Sequence, residues 1–341
     1  MIKIGNKKIS DKNFPFFVAE AGINFDGNFE KCFRLIDEAK LAGADAVKFQ
    51  THIAEEEMLD TKIMLAHSKK ETVFDLMKKC ELDLEKHQIL KKYCEKKNLV
   101  FMSTPFSYAA AKLLNSLKIK VFKIGSGECN NLPLIEEILK FKKPTIISTG
   151  MNSMKNIEIT FNHARKFNSK IILMHCVSIY PTPPSKTMLN TITFLKKKFK
   201  CPVGFSDHSD DISLPIASVA LGANIIEKHF TVSKKWSGPD VSISLTPDKF
   251  KEMVKACKDI HLSKGIRKNI LKEEIPVTKF AYASVVTTKD IKKGELFSKK
   301  NIWVKRPGVG KIKASDYYKI LNKKANRALK KNLMLKFSDI K

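Results

Sequence analysis

The sequence lacks any apolar run long enough to cross a lipid bilayer. A membrane-spanning helix needs about 20 consecutive, mostly apolar residues, and no stretch of the 341-residue chain approaches that length. The N-terminal segment MIKIGNKKISDKN also lacks the apolar core of a secretory signal peptide. These absences predict a cytoplasmic protein without a membrane partner.

Paired cysteines are missing as well. The chain has seven cysteines, an odd number, and no C-x-x-C pair. Neither a disulfide framework nor a zinc ribbon fits this pattern. We therefore expect free thiols that pack as small apolar side chains in a reducing compartment.

Acidic residues are scarce. The chain has 35 aspartates and glutamates against 63 lysines and arginines, which gives a net charge of +28. This excess is compatible with nucleic-acid binding, with an anionic substrate, or with a lysine-rich source organism. The lysines are scattered, with one short run at residues 196–198, and they form no stripe with interleaved aromatic residues. That distribution disfavours a nucleic-acid partner and leaves the other two interpretations open.

What the sequence does contain is a repeat of short apolar runs. Eight runs that end in polar residues alternate with helical patterns: FFVAEAGI, AVKFQ, VFMSTP, VFKIGS, PTIISTG, KIILMHC, CPVGFSDH and NIIEKHFT. Such alternation is typical of parallel βαβ units, and eight strands without a ninth predict a closed (β/α)8 TIM barrel in the α/β class. We expect the barrel over residues 1–265, a linker over 266–281 and a small, mostly β domain over 282–341.

The polar residues at the strand ends predict where an active site lies, because barrel enzymes place their sites at the carboxyl ends of the strands. Residues 51–79 are too many for an ordinary connection and predict a lid or substrate wall. We interpret Glu55 to Glu57, within that segment, as a solvated helix turn. The strand-end candidates are Glu20, Lys48, Gln50, Thr104, Lys123, Ser126, Glu128, Ser148, Ser178, Tyr180, Asp207, His208 and His229.

Two histidines are candidate metal ligands. His208 follows the seventh strand and His229 ends the eighth, so both imidazoles should enter one mouth. Two imidazoles with the remaining positions open suit a catalytic divalent ion. A purely structural role for the pair remains the alternative.

Two lysines are candidate anion ligands. Lys48 and Lys123 end strands between apolar neighbours, where an ammonium group is costly unless an anion pairs with it. The hydroxyls of Ser126, Ser148 and Ser206 would complete a cradle for phosphate and carboxylate groups. The alternative is a pair of structural bridges from these lysines to Glu20 or Glu128.

Three carboxylates are candidates for proton chemistry. Glu20, Glu128 and Asp240 could position a polyol, activate water or protonate a leaving group. Salt bridging is the alternative for the two glutamates, and a turn role is the alternative for Asp240.

Several motifs resemble those of the bacterial sialic acid synthases, which condense phosphoenolpyruvate with N-acetylmannosamine. The resemblance runs nearly end to end. It is carried by KIGSGECNN from Lys123, STGM from Ser148, YPTP from Tyr180, FSDH from Phe205, IEKHF from Ile226, SGPD from Ser237 and IWVKRPG from Ile302.

The resemblance implies a (β/α)8 barrel followed by a domain similar to type III antifreeze protein (SAF-like), in a domain-swapped homodimer. His208 and His229 would hold a divalent ion, Mn²⁺ for preference. Phosphoenolpyruvate would be bound by Lys48, Lys123, Thr104, Ser126, Ser148 and Ser206. Gln50, Glu128, Tyr180 and Asp240 would face the sugar, Arg306 would bind the N-acetyl group in the partner subunit's site, and Glu20 or Glu128 would manage protons.

Two positions depart from the family pattern. The first loop usually reads Asn-His-x-Gly, but this chain has Phe25 in place of the histidine. An asparagine often stands two residues before Tyr180, where this chain has Ser178. A serine hydroxyl can still donate one hydrogen bond to phosphate, so we expect a weaker contact rather than an inactive enzyme.

Two other functions remain open. A legionaminic acid synthase would use the same metal and phosphoenolpyruvate motifs on 2,4-diacetamido-2,4,6-trideoxymannose. Strings outside the shared motifs, such as THI from Thr51 and ASVV from Ala283, favour the sialic acid branch. The alternative from another class is a non-catalytic protein that binds a polyanion through its positive charge, with steep salt dependence.

Overall fold

Eight parallel strands form the central sheet of the computed structural model, which describes residues 2–64, 71–267 and 269–341. The strands are β1 (Phe16–Gly22), β2 (Ala46–Thr51), β3 (Val100–Pro105), β4 (Phe122–Ile124), β5 (Thr145–Ser148), β6 (Ile171–Cys176), β7 (Val203–Asp207) and β8 (Ile225–His229). Their hydrogen-bonded order is β3-β2-β1-β8-β7-β6-β5-β4. The sheet therefore curls into a nearly closed barrel whose gap in hydrogen bonding lies between β3 and β4. The predicted (β/α)8 fold is confirmed.

Helices connect the strands and cover the barrel. They are α1 (Phe29–Leu41), α2 (Ala54–Glu57), α3 (Val73–Lys79), α4 (Leu84–Lys96), α5 (Tyr108–Ser116), α6 (Leu132–Lys140), α7 (Met154–Phe167), α8 (Pro184–Thr187), α9 (Asn190–Phe199), α10 (Ser213–Ala220) and α11 (Pro247–Ser263). Residues 65–70, part of the predicted lid, lie outside the described residues.

The helix α1 shows how the outer layer is specified. Its cap, Asn28, accepts a hydrogen bond from the backbone N–H of Glu30, as helix N-caps commonly do. Cys32, Leu35, Ile36 and Ala39 recur at helical spacing and are all buried against the sheet. The layer between helices and sheet is the larger of the barrel's two apolar clusters.

The smaller cluster fills the barrel's interior at its amino-terminal end. Phe16 and Val18 on β1 point inward together with apolar residues from the other strands. An antiparallel hairpin of Ile2–Ile4 and Lys7–Ile9 adds three isoleucines to this cluster and closes the end of the barrel. Gly5 turns the hairpin with a positive φ of 56°. The sequence patterns did not predict this hairpin.

The second compact unit comprises Ile266–Lys341, and the first comprises Met1–Gly265. The second unit contains a 3-10 turn at Lys272–Glu274, α12 (Ile275–Ala281), β9 (Ser284–Thr287) and β10 (Ile302–Lys305), followed by a 3-10 turn at Ala314–Asp316, α13 (Tyr317–Ile320) and a 3-10 turn at Phe337–Asp339. β9 and β10 pair antiparallel over a core that includes Val285, Phe297 and Ile312. Residues 266–281 thus carry a helix within this unit.

All seven cysteines are free, and six of them are buried, as expected for small apolar side chains. Within the described ranges, no helix combines the length and hydropathy that a bilayer span requires.

Candidate active site

A cavity of about 360 Å³ opens at the carboxyl ends of the strands. It forms because side chains two residues apart on a strand share a face, so the inward row turns from apolar to polar along each strand. On β1, for example, Phe16 and Val18 pack below and Glu20 faces the cavity. The predicted site residues that line it are Glu20, Lys48, Gln50, Thr104, Lys123, Ser126, Ser148, Ser178, Tyr180, Ser206, His208, His229 and Asp240.

Two predicted site residues lie elsewhere. Glu128 lines a neighbouring hollow together with Glu57 and Phe106, and its carboxylate accepts a hydrogen bond from Asn131 Nδ2 at 2.6 Å. Arg306 belongs to the second unit, where its guanidinium lies 5.7 Å from the ring centre of Phe280.

Four buried charges form the floor of the cavity. Lys48 Nζ lies 2.6 Å from Glu20 Oε2 and 3.6 Å from Glu227 Oε1, and it donates to Thr104 Oγ1 at 3.2 Å. Lys123 Nζ donates to Glu227 Oε1 at 2.9 Å. Glu227 thereby joins the two lysines. The salt bridge between Lys48 and Glu20 is the one expected if this lysine had a structural role. Both lysines nevertheless line the cavity.

The two carboxylates differ in their protonation. Burial raises the pKa of Glu20 to about 7, although Lys48 opposes the shift. Burial would also raise the pKa of Glu227, but Lys123 and then Lys48 outweigh it and hold that pKa at about 2. Near neutral pH, Glu227 is therefore a fixed anion, whereas Glu20 can exchange a proton.

A cradle of small polar groups lies beside the lysines. Ser126 Oγ accepts from the backbone N–H of Gly150 at 3.1 Å and lies 3.2 Å from Cys176 Sγ. A Cβ on Gly150 would come within 2.8 Å of Ser126 Oγ, 2.7 Å of Cys176 Sγ and 2.6 Å of Ser178 Oγ. Glycine is therefore needed here for the close approach of three polar side chains. Ser148 is buried and also lines the cavity.

The histidine pair lines the same cavity. The rings of His208 and His229 are 5.4 Å apart between centroids, and Tyr180 lies 4.2 Å from His208. Burial and then the neighbouring His229 lower the pKa of His208 to about 4. Burial and then Lys48 lower the pKa of His229 to about 3. Both imidazoles are therefore neutral and able to act as metal ligands near neutral pH.

The arrangement of the pair fits a divalent ion. His208 Nδ1 hydrogen-bonds the carbonyl of Val177 at 2.7 Å, which leaves Nε2 for a ligand, as is usual for metal-binding histidines. His229 Nδ1 is buried without a hydrogen-bond partner in the described part of the chain, and Asp240 Oδ2 lies 3.6 Å away. The described residues contain no group of three or more His, Cys, Asp or Glu side chains placed to hold a metal. An ion here would thus keep open positions for substrate.

Asn24 places the loop that carries Asp240. It is fully buried, donates to Phe230 O and Ser244 Oγ, and accepts from the backbone N–H of Asp240 at 3.2 Å. Phe25, the departure from the family's first loop, is also fully buried and packs edge-on against a β2 phenylalanine. The position therefore contributes to the core in this chain and supplies no polar group to the cavity.

Sequence reasoning missed two residues that organise the site, Glu227 and Asn24. Glu227 precedes His229 by two positions on β8, so strand alternation could have assigned both to the cavity. Lys228, between them, points outward and pairs with Asp207 at 2.5 Å. Asp207, a strand-end candidate at the end of β7, faces the helix layer for the same reason. The first-loop pattern includes Asn24 but does not reveal its role, because its hydrogen-bond partners are more than 200 residues away.

The fold and this cavity define a (β/α)8-barrel enzyme with a site of lysines, hydroxyls and paired imidazoles at the carboxyl ends of its strands. The chain belongs to the NeuB family of sugar-acid synthases: it matches the NeuB family over residues 35–269 and the SAF domain over residues 282–341. The family resemblance and the expectation of an enzyme are both confirmed.

Similar proteins carry names of three different sugar acids. The chain is 39% identical to the N,N'-diacetyllegionaminic acid synthase of Campylobacter jejuni, over 94% of this chain and 98% of that protein. It is 33% identical to a pseudaminic acid synthase of the same species, over 99% of both chains. The crystal structure of the N-acetylneuraminic acid synthetase of Leptospira borgpetersenii in complex with citrate has 34% identity and a TM-score of 0.75, covering 81% of this chain and 94% of that chain.

Proposed function

We propose that this enzyme condenses phosphoenolpyruvate with N-acetylmannosamine and water to give N-acetylneuraminate and phosphate. One observation carries the proposal: two buried ammonium groups, Lys48 and Lys123, meet in a cavity that also holds a hydroxyl cradle and a neutral imidazole pair. Phosphoenolpyruvate carries phosphate and carboxylate groups that match the first two features. An aldehyde sugar needs activation of its carbonyl, which suits the third.

The lysines and hydroxyls would hold phosphoenolpyruvate in one orientation. Lys48 and Lys123 are joined by Glu227, so their ammonium groups are fixed before the substrate arrives. Ser126, Ser148 and Ser206 line the same cavity and supply hydroxyl donors for anionic oxygens. Such preorganised donors stabilise charge without reorganisation at the moment of reaction.

The chemistry follows from this placement. The methylene carbon of phosphoenolpyruvate forms a bond to the aldehyde carbon, whose π bond breaks so that its oxygen takes up a proton and becomes a hydroxyl, while water adds at the enol carbon and releases a proton. The bond between that carbon and the bridging oxygen then breaks, and the oxygen leaves with phosphate. Glu20 is suited to move the proton that water releases, because its pKa of about 7 allows both protonation states near neutral pH.

His208 and His229 would hold the divalent ion, with Mn²⁺ as the preferred candidate. When bound there, a divalent ion supplies Lewis acidity at the aldehyde oxygen. The neutral state of both rings and the orphaned Nδ1 of His229 support this assignment. Metal content and metal-dependent turnover should both be lost in His208→Ala and in His229→Ala, while the barrel remains folded. Turnover that survives either change would remove the metal from this scheme.

A second candidate is legionaminic acid synthesis from 2,4-diacetamido-2,4,6-trideoxymannose. It is favoured by the 39% identity to a relative named for that product. The deciding assay is phosphate release from phosphoenolpyruvate with Mn²⁺ and each sugar separately, with the product identified by mass. Turnover on N-acetylmannosamine supports the first proposal, and turnover only on the diacetamido sugar moves the chain to the second. Absence of turnover on both would contradict the two proposals together.

The bond that breaks has its own test. With phosphoenolpyruvate labelled at the bridging oxygen, the label should leave in phosphate. Label retained in the sugar acid would contradict cleavage between carbon and oxygen. The rival view of a non-catalytic polyanion-binding protein does not fit a chain of this synthase family. Duplex DNA titrated at moderate salt should therefore show no micromolar, salt-resistant binding.

We further propose a domain-swapped homodimer in which Arg306 of the partner subunit reaches the sugar. Exposed apolar side chains of the barrel unit include Met151, which lines the cavity and is 72% exposed, and Leu59, on the segment after α2, which is 83% exposed. A second protein surface would cover them. Mixing inactive Lys123→Ala and Arg306→Ala variants should restore part of the activity, because some mixed dimers then contain one intact site. No recovery would count against the swap.

A further inference from the structure

Four side chains, each in hydrogen-bond contact with the next, connect the cavity to the helix α2. Glu57 contacts His52 Nδ1 through both carboxylate oxygens, at 2.9 and 3.0 Å. The other ring nitrogen, His52 Nε2, lies 3.1 Å from Gln50 Oε1. Gln50 Nε2 in turn donates to Glu20 Oε1 at 3.4 Å. Gln50 and Glu20 line the cavity, whereas His52 and Glu57 stand behind it.

His52 and Glu57 are held rigidly. Their side chains are only 3% and 4% exposed. The His52 ring stacks on Phe106 with a centroid distance of 4.6 Å and an interplanar angle of 12°. This differs from the sequence interpretation of Glu55 to Glu57 as a solvated turn, since Glu57 is turned inward while Glu55 pairs with Lys78 at the surface. A carboxylate this buried needs a charged or donating partner, and His52 is that partner.

The carboxylates of Glu20 and Glu57, at the two ends, determine which atoms of Gln50 and His52 donate hydrogen bonds. An ionised carboxylate only accepts hydrogen bonds. When Glu20 is ionised, above its pKa of about 7, it requires the amide NH₂ of Gln50, which leaves Gln50 Oε1 to accept a hydrogen bond from His52 Nε2. Glu57 requires a second proton on His52 Nδ1. With both carboxylates ionised, each ring nitrogen of His52 therefore faces an acceptor and donates.

We propose that His52 and Glu57 are positioning residues that lock the Gln50 amide with its NH₂ group facing the cavity. Without such contacts, the terminal amide of glutamine rotates easily. A neutral His52 with its proton toward Glu57 would favour the reversed amide, in which Gln50 Nε2 donates to His52 Nε2. In the locked orientation, Gln50 presents a donor and selects an oxygen acceptor on the substrate. The inference rests on the proposed function only for the identity of that substrate, the sugar.

The kinetic test compares Glu57→Gln with Glu56→Gln, a neighbouring exposed glutamate outside the four-residue chain. Glu57→Gln keeps the shape but removes the charge that favours the imidazolium. We expect KM for the sugar to rise about tenfold or more, the equivalent of one charge-assisted hydrogen bond, with KM for phosphoenolpyruvate within about twofold. Glu56→Gln should change neither. Equal rises in both KM values for Glu57→Gln would indicate general damage and overturn the positioning role.

The protonation test does not require turnover. Side-chain ¹⁵N NMR of the full-length protein, with the His52 signals identified by their absence in His52→Gln, should show two protonated nitrogens at about pH 7.5. In Glu57→Gln the ring should become neutral at the same pH. A neutral His52 in the unaltered protein would overturn the proposal. Failure of the sugar assay would affect the proposed function alone, since the NMR result stands without it.

Discussion

The hydroxyl cradle makes a sharp prediction for Gly150→Ala. The backbone of Gly150 lies outside the left-handed region, so alanine introduces no backbone strain. Its Cβ, however, would lie 2.6 Å from Ser178 Oγ and 2.8 Å from Ser126 Oγ, whereas ordinary van der Waals contact begins at 3.4 Å. Serine side chains can relieve this by rotating about χ1. We therefore expect a folded protein whose hydroxyls have turned out of the cradle.

The size of the effect follows from the hydrogen bonds that are lost. Each hydrogen bond to a charged ligand contributes about 1.5–3 kcal/mol, and 1.4 kcal/mol corresponds to a factor of ten. Losing one such bond should raise KM for phosphoenolpyruvate about 10- to 100-fold. Residual crowding should lower the free energy of unfolding by about 1–3 kcal/mol. KM for the sugar should change much less, because the sugar side of the cavity is untouched.

The assay is phosphate release at varied phosphoenolpyruvate with saturating sugar, with folding checked by thermal melting. Gly265→Ala is the matched control, because among the described residues a Cβ at Gly265 meets no atom within 4 Å and Gly265 does not line the cavity. Ser126→Ala supplies a double-mutant cycle: combined with Gly150→Ala, it should be less than additive, since both remove the same hydroxyl. A folded Gly150→Ala enzyme with KM for phosphoenolpyruvate within about twofold of the original would refute the reasoning.

Three further predictions concern the carboxylates and Asn24. Glu227→Gln removes the anion between Lys48 and Lys123, so urea unfolding should show stability lower by about 3–5 kcal/mol. Because folding raises the pKa of Glu20 from 4.5 to about 7, the folded protein keeps a proton on Glu20 at pH values where the unfolded chain has released it. The free energy of unfolding should therefore fall as pH rises from about 4.5 to about 7. Glu20→Gln should abolish that decline in unfolding free energies measured at several pH values. Asn24→Ala should raise KM for the sugar, with a stability loss of about 1–3 kcal/mol from unsatisfied buried groups; an unchanged sugar KM would show that Asn24 does not place Asp240.

The sequence was sufficient to predict the barrel and most of its cavity. Strand periodicity is local, and in a barrel the carboxyl end of every strand reaches the same mouth, so Lys48, Lys123 and His229 could be grouped without coordinates. Pairings could not be predicted in the same way. Whether Lys48 contacts Glu20 or Glu227 depends on barrel register, which no local pattern encodes.

The other omissions have a related cause. The hairpin at residues 2–9 consists of two three-residue strands rich in lysine, too short for a period to be recognised. His52 and Glu57 are five residues apart, and only the short helix α2 brings Glu57 back onto the imidazole. Position at a strand end does not by itself predict which way a side chain faces. Because side chains alternate along a strand, Asp207 faces outward and Ser206 faces the cavity.

The net charge of +28 and the anion site are largely separate properties. In the described part of the chain, Lys48, Lys123 and Lys228 are the only buried lysine or arginine side chains, and each has a carboxylate partner. With both glutamates ionised, the floor of the cavity is close to neutral. The remaining excess lies on the surface, where it can steer an anion toward the protein but is screened by salt. Discrimination among anions must then come from the fixed ammonium groups and hydroxyls of the cavity, which surface lysines cannot replace.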